Sequence, residues 1–79
     1  MQNYTKTYYH YFNLSPYDFT PCERCGAAAT SIHHIHGRGK GKDVIINLQA
    51  LCLECHAAAH TNISKDEMQS IHDKFMNKC

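Results

Sequence analysis

Apolar and polar positions near the start of the chain repeat with the period of a helix. Four aromatic side chains fall at offsets of four, seven and eight: Tyr4, Tyr8, Tyr11 and Phe12. This spacing predicts a helix with one aromatic face, ending within residues 13–16 because a residue before proline is disfavoured in the α region. We interpret the face as core packing, since buried aromatic rings contribute strongly to stability. A surface that stacks on nucleic-acid bases is the alternative.

A second helical pattern lies near the other end of the chain. Ser64 and Glu67 have the spacing of a capping box, so we expect a helix to begin there. Its apolar positions form one stripe, which we assign to the core: Met68, Ile71, Phe75 and Met76. Cys79 follows this helix, and we treat it as an incidental free thiol.

The middle of the chain has the pattern of a β-hairpin. Residues 31–36 and 44–46 are short β-compatible runs, and the second leads into Asn47. A glycine-rich loop separates them, and strand, loop and strand predict a hairpin. The loop carries three cations, Arg38, Lys40 and Lys42. Phosphate contact and simple solvation are about equally favoured for these side chains.

Composition favours a metal as the source of stability. With 79 residues, 43% of them apolar, the chain predicts one small domain with a thin core, which needs a metal, disulfides or a partner. Five cysteines and seven histidines favour a metal. The sequence has neither a run of about eighteen apolar residues nor the apolar segment of an export signal. We therefore expect no membrane span, and thiols that stay reduced.

The net charge limits the kind of nucleic-acid contact that the chain can make. Its formal charge is +1, which four thiolates and one zinc ion would change to −1 and a second divalent cation would restore. This balance excludes a polybasic nucleic-acid binder. Any contact with DNA must depend on local charge and on a metal.

Two Cys-x-x-Cys pairs predict a zinc site. The stretch between the pairs is long enough to hold the hairpin, and the four residues are Cys22, Cys25, Cys52 and Cys55. Four soft thiolates suit tetrahedral Zn²⁺, and four protein ligands leave no open position for chemistry. We therefore assign this zinc to folding. An alanine-rich helix is expected to begin at the second pair.

Five histidines form a second candidate metal centre. Three lie in the first hairpin run and two follow the second cysteine pair: His33, His34, His36, His56 and His60. His56 and His60 are four residues apart and share a face of the predicted helix. Imidazoles bury little apolar area, so packing explains the cluster poorly. A second structural zinc is the alternative to a catalytic metal.

These elements together resemble the motif of the HNH endonucleases. The matching segments are Ile-His-His-Ile at 32–35, Asn-Leu-Gln-Ala-Leu at 47–51, and the second cysteine pair followed by His56 and His60. The similarity covers about residues 20–60. In particular, the chain resembles the small, cysteine-stapled HNH proteins of phages and prophages.

The resemblance implies an α+β fold. It is a zinc-stapled ββα-metal finger, treble-clef-like and of the His-Me type, in which a hairpin packs across one helix with the active metal between them. Flanking helices at the N- and C-termini complete the expected architecture. We expect a single domain over 1–79, with the aromatic helix in 1–20, the finger in 21–62 and the last helix in 63–79.

The resemblance also implies a role for each matching residue. His34 takes the place of the general base, which removes a proton from water. Asn47 takes the place of the central asparagine, which braces the hairpin and helps orient the base. The implied ligands of the catalytic metal are His33, His56 and His60. Beside them, Arg38 and Lys40 are candidate phosphate contacts.

Strand geometry sets one requirement on this site. In an ideal strand His33 and His34 point to opposite faces, so we expect a kink or a strand end near Gly37 to bring them to one site. Histidine ligands favour Zn²⁺, Ni²⁺ or Mn²⁺ over Mg²⁺, and which of these four ions occupies the catalytic position stays open. His36 and His10 receive no assignment.

The implied function is metal-dependent hydrolysis of phosphodiester bonds in double-stranded DNA, with little sequence specificity. Two alternatives stay open. One is a non-cleaving zinc module that binds nucleic acid or a protein, and the other is an accessory of a phage DNA-packaging complex. The resemblance implies a phage or prophage protein in the cytoplasm of a bacterial host. Its partners would be DNA and, in the packaging alternative, phage packaging proteins, with no membrane.

Overall fold

The computed structural model describes residues 3–15, 17–37 and 39–77 and shows a two-stranded antiparallel sheet with helices before and after it. In chain order the elements are α1 (Asn3–Tyr11), β1 (Ser31–His34), a 3-10 turn (Ile45–Asn47), β2 (Leu48–Leu51), α2 (Leu53–Thr61) and α3 (Lys65–Asn77). The predicted α+β class is confirmed. The hairpin is followed at once by a helix, and further helices flank this unit on both sides.

The second strand lies later in the chain than the sequence predicts. Strand β2 begins at Leu48, which pairs with His34 of β1, and the β-branched run before it forms the 3-10 turn Ile45–Asn47. In that turn the N–H of Asn47 donates to the carbonyl of Val44 at 2.9 Å. The assignment of residues 44–46 to a strand is therefore wrong.

The side chain of Asn47 explains the turn. Its Oδ1 accepts from the N–H of His36 at 2.8 Å, and its Nδ2 donates to the carbonyls of Gly37 and Lys42 at 3.2 and 2.9 Å. These buried bonds tie the two ends of the basic loop to one residue. Strand propensity depends strongly on context, and here the side-chain bonding outweighs the preference of the β-branched residues.

Strand β2 is buried on both faces because a different apolar cluster covers each one. Leu48 and Ala50 pack with Tyr8 of α1, whereas Leu51 packs with the cysteine knuckle and with Met68 of α3. Successive strand residues point to opposite faces, which places these side chains in two separate layers. The hairpin is therefore the middle layer of the molecule. Helix α1 packs against one of its faces, and the cysteine knuckle and α3 pack against the other.

Helix α1 supplies aromatic side chains to the core, as its spacing predicts, but with one exception. Tyr8 is buried, with Tyr4 and Phe12 packed around it, whereas Tyr11 is 48% exposed. The helix ends through Asn13, which adopts a left-handed conformation with φ of 55°. Asparagine is a frequent residue at this capping position.

Helix α3 begins at the predicted cap. The hydroxyl of Ser64 accepts from the N–H of Glu67 at 3.1 Å, which satisfies one of the open donors of the first turn. Along the predicted apolar stripe Met68 is fully buried, and the ring of Phe75 lies 5.4 Å from that of Phe12, the residue that follows α1. The segment at the end of the first helix therefore contacts the last helix.

A buried polar network joins four parts of the fold. His72 of α3 has its Nδ1 2.7 Å from the Oε1 of Glu23, and its Nε2 donates to the carbonyl of Ile45 at 2.7 Å. Tyr8 donates its hydroxyl proton to the other oxygen of Glu23. The His72 and Glu23 side chains are fully buried. Because both ring nitrogens face acceptors, the arrangement fits an imidazolium paired with a carboxylate.

Among the described residues, no helix has the length and apolar character that a membrane crossing requires.

The buried pair predicts a pH-dependent stability. Burial alone would lower the pKa of His72, but the hydrogen bond and charge of Glu23 and the Ile45 carbonyl raise it above its ordinary value. A raised pKa gives full stabilisation below pH ~6.5 and loses it as the pH rises through the folded-state pKa. We expect His72→Gln to cost about 3 kcal/mol at pH 6, and less at pH 9.

Urea denaturation of the zinc-loaded protein at pH 6, 7.5 and 9 measures this cost. The matched control is His10→Gln, which changes an exposed histidine of α1. Comparing variants at each pH removes the pH dependence that zinc binding itself contributes. A cost of His72→Gln that stays constant or grows with pH contradicts the assignment of an imidazolium.

Candidate functional site

The four predicted zinc ligands come together. The sulfur atoms of Cys22, Cys25, Cys52 and Cys55 all lie within 4.8 Å of one another. The Sγ atoms of Cys25 and Cys52 are 3.6 Å apart, which agrees with the ~3.8 Å between sulfurs expected from Zn–S bonds of ~2.3 Å in a tetrahedron. The residues therefore fit a structural Zn²⁺, as the sequence predicts.

Local backbone structure prepares both cysteine pairs. The first pair sits in a tight knuckle, in which the N–H of Gly26 donates to the carbonyl of Cys22 at 2.9 Å and Gly26 has a φ of 84°. Glycine takes this left-handed conformation without a steric cost. In the second pair Cys52 is the N-cap of α2, and its sulfur accepts from the N–H of Cys55. The knuckle and the helix start thus face each other.

The four thiols require a cation before they ionise together. Burial would raise the pKa of Cys22, but backbone N–H groups of Cys52, Cys25 and Arg24 lower it to about 7. Burial raises the pKa of Cys55 to about 12, although Arg24 donates to its sulfur at 3.6 Å. Thiolates packed this closely repel one another. A bound Zn²⁺ supplies the positive charge that stabilises all four.

Three of the five clustered histidines form a second centre. His33 of β1 faces His56 and His60 of α2, with nitrogen atoms within 4.8 Å of one another and ring centroids 4.9 to 5.2 Å apart. Burial, with repulsion from neighbouring imidazoles, lowers the pKa of His33 to about 4, and burial also lowers the pKa of His56. His33 and His56 are therefore neutral near pH 7, and a neutral imidazole is the form that binds a metal.

Ser31 contacts one of the three histidines of this centre. Its hydroxyl lies 2.8 Å from the Nδ1 of His56. A ligating histidine usually uses its second nitrogen to donate to an oxygen, which fixes the tautomer and the ring orientation. In the tautomer in which Nδ1 donates to Ser31, the Nε2 of His56 is the nitrogen available to a metal. Ser31 and His33 are two residues apart and so share one face of β1.

His34 has other neighbours than His33. Its Nε2 is 2.7 Å from the Oδ1 of Asp43, and its ring contacts that of Tyr4 edge-on, with 4.7 Å between centroids. Strand alternation thus separates the two consecutive histidines, and His34 lies outside the three-histidine cluster. However, β1 ends at His34, and there both rings line the same cavity.

That cavity has a volume of about 280 Å³. Its lining consists of Ile32, His33, His34, Gly37, His56 and His60. A possible metal centre and a separate imidazole therefore share one open space. This is the arrangement needed for a reaction in which one group holds an anionic substrate while another accepts a proton.

The other residues that the sequence singles out lie outside the three-histidine cluster or outside the described residues. Lys40 is exposed in the loop before Asp43. Arg38 and Cys79 fall outside the described residues. His36 turns away from the cluster, with its Nε2 3.0 Å from the Oε1 of Gln69 in α3.

Sequence reasoning missed two residues that contact the site. Asp43 is nine positions from His34 and belongs to no recognised motif, so nothing in the sequence links the two. Ser31 did leave a signal, because it alternates with His33 in a predicted strand. A hydroxyl on the ligand face of a strand is a reasonable candidate partner for a ligating histidine.

Comparison with known proteins gives one match. A family model described as HNH endonuclease matches residues 22–62, which is just over half of the chain. The matched segment contains both cysteine pairs and the three-histidine cluster. No curated protein and no solved structure matches the chain.

Removal of zinc is expected to unfold the protein. Cys22, Cys55 and Leu51 belong to one buried cluster, so loss of the metal removes the ion that joins the four cysteines and opens the core. Dialysis against excess chelator should abolish the dispersion of the amide NMR spectrum, and one equivalent of Zn²⁺ should restore it. A dispersed spectrum from protein shown to contain no metal would contradict a structural role.

Ser31→Ala is expected to weaken metal binding at the histidine centre by about 10- to 100-fold. Without the hydroxyl, the ring of His56 loses its orienting partner. Titration calorimetry with Mn²⁺ or Ni²⁺ on zinc-loaded protein measures the affinity. Ser31→Thr, which keeps a hydroxyl in the strand, is the matched control. Equal affinity of the alanine variant and the unchanged protein would show that Ser31 does not orient the ligand.

Proposed function

Since this chain belongs to the HNH endonuclease family, we propose that it is a metal-dependent endonuclease that hydrolyses phosphodiester bonds in double-stranded DNA. One observation carries the proposal. The three-histidine cluster and His34 line the same cavity, although His33 and His34 are consecutive residues of one strand. A site that only stabilised the fold would not need a fourth imidazole at its open side.

The histidine centre would hold one divalent cation through His33, His56 and His60. When bound, such a cation supplies positive charge that neutralises the phosphodiester and its developing negative charge. The chain contributes the positioning of these ligands. One comes from a strand and two come from successive turns of α2, and the lowered pKa values of His33 and His56 keep these two imidazoles neutral.

His34 is the proposed general base. A neutral imidazole removes a proton from water, and the hydroxide equivalent attacks the phosphorus in line with the leaving 3′ oxygen. The products would be a 5′-phosphate and a 3′-hydroxyl. Its side chain is only 4% exposed, so surrounding groups restrict its orientation. Asn47 takes part by holding both ends of the loop beside this residue.

The basic loop is the proposed contact with the DNA backbone. Lys40 and Arg38 belong to the glycine-rich segment that borders the cavity at Gly37. Contacts from such cations go to phosphate oxygens, which position a duplex without specifying its sequence. With a formal charge of +1 for the whole chain, affinity is expected to be modest and to decrease as the salt concentration rises. Little sequence specificity follows.

Cleavage of supercoiled plasmid tests the proposal. Purified zinc-loaded protein is assayed with Mg²⁺, Mn²⁺, Ni²⁺ and added Zn²⁺, and with chelator in an amount that leaves the structural zinc bound. We expect nicking that depends on the added ion. His34→Ala should reduce the rate by at least ~100-fold while the variant keeps its zinc and its fold.

His36→Ala is the matched control, because it removes a neighbouring imidazole that contacts Gln69 instead of the cavity. Its nicking rate should stay within about twofold of the unchanged protein, since surface substitutions have small effects. Cleavage that persists in His34→Ala would assign the base to another residue. Absence of cleavage with every ion, from folded protein, would favour a non-cleaving zinc module or an accessory of a DNA-packaging complex.

A further inference from the structure

We propose that Asp43 is a positioning residue for His34, which holds the imidazole with its proton on Nε2 and leaves Nδ1 as the nitrogen that accepts a proton from water. The inference rests on the proposed function, because it assigns a partner to the proposed base. Asp43 does not touch the reacting atoms. It acts through the ring of His34.

The contact itself defines the tautomer. The Oδ1 of Asp43 lies 2.7 Å from the Nε2 of His34. An ionised carboxylate only accepts hydrogen bonds, so Nε2 must carry the proton that is shared. In a neutral imidazole the other nitrogen is then an acceptor. Only Nδ1 remains to remove a proton from water, and the carboxylate stabilises the imidazolium that results.

Hydrogen bonds from Asn47 hold the backbone beside Asp43 in position. The Nδ2 of Asn47 donates to the carbonyl of Lys42, the residue before Asp43, at 2.9 Å, and to the carbonyl of Gly37 at 3.2 Å. This fixes the backbone from which Asp43 reaches toward β1. Asn47 therefore orients the base indirectly, through the position of Asp43.

A second contact restricts the ring of His34. The ring of Tyr4 in α1 meets it edge-on, with 4.7 Å between centroids and 66° between planes. A ring held at Nε2 by a carboxylate and packed on one side by an aromatic cannot turn freely. One contact comes from the loop that connects the two strands and the other comes from α1, so the orientation of His34 depends on the assembled fold.

Simple stabilisation explains Asp43 less well. The side chain of Asp43 is 55% exposed, and a half-exposed ion pair contributes little to folding. A role in orienting the base accounts for an acidic side chain in a loop whose other charged residues are cations.

NMR of the ring proton tests the inference without any assay of cleavage. In zinc-loaded protein, long-range ¹H–¹⁵N correlations of His34 should place the proton on Nε2 and show slowed exchange with solvent. Asp43→Ala should abolish the protection, and Asp43→Glu, which keeps a carboxylate, should restore it at least in part. A proton found on Nδ1, or protection that Asp43→Ala leaves unchanged, overturns the proposal.

Kinetics give an independent readout. We expect Asp43→Ala to lower kcat by about 10- to 100-fold with KM within about twofold, since Asp43 orients the base and does not bind DNA. Asp43→Glu should recover much of kcat. Asp66→Ala is the matched control, as it removes an exposed carboxylate from the first turn of α3 and should leave kcat within about twofold.

The two proposals fail in different ways. If the unchanged protein cleaves no DNA with any ion, the proposed function fails, while the ring-proton spectrum still decides whether Asp43 orients His34. If the unchanged protein cleaves and Asp43→Ala has the same kcat, the positioning role fails and the nuclease stands. A fall in kcat that Asp66→Ala reproduces would reflect charge alone and would also overturn the positioning role.

Discussion

The structure depends on four sulfur atoms brought within 4.8 Å of one another. A small domain buries too little apolar surface to be stable without help, and here the cysteine cluster ties the knuckle to the start of α2. The N–H of Glu23 in that knuckle donates to the carbonyl of Ala50 in β2. The metal site therefore fixes the edge of the hairpin as well as the helix beside it. The same contacts position β1 and α2, the two elements that carry the three histidines.

Glu23 connects this site to the rest of the molecule. It lies between Cys22 and Cys25 in the chain, and its carboxylate meets His72 of α3 and Tyr8 of α1. Helices that are far apart in sequence thus converge on one buried anion. An ion pair without solvent costs desolvation free energy, and good geometry with further hydrogen bonds offsets that cost. The network gives the knuckle a fixed orientation relative to the helices.

Residue type and spacing predict which ligand side chains cluster in this protein better than they predict its strand boundaries. The cysteine pairs and the cluster around His33 follow from ligand preferences, which are local properties of side chains. The start of β2 does not, because the bonds of Asn47 across the loop decide it and propensity carries no information on them. Asp43 escapes prediction for the same reason, since its contact with His34 exists only once the loop is closed.

The sequence of α2 fixes the angle, around the helix axis, between the sulfur cluster and the histidine cluster. Cys55 belongs to the sulfur cluster and His56, the next residue, belongs to the histidine cluster. Each residue of an α-helix advances by ~100°. Point substitutions on the outer face of α2 preserve this relation, but one residue inserted between Cys55 and His56 rotates the imidazoles away from the cavity. Asn47 binds the two ends of the loop from Gly37 to Lys42, and within this exposed loop we expect changes in chain length to be tolerated.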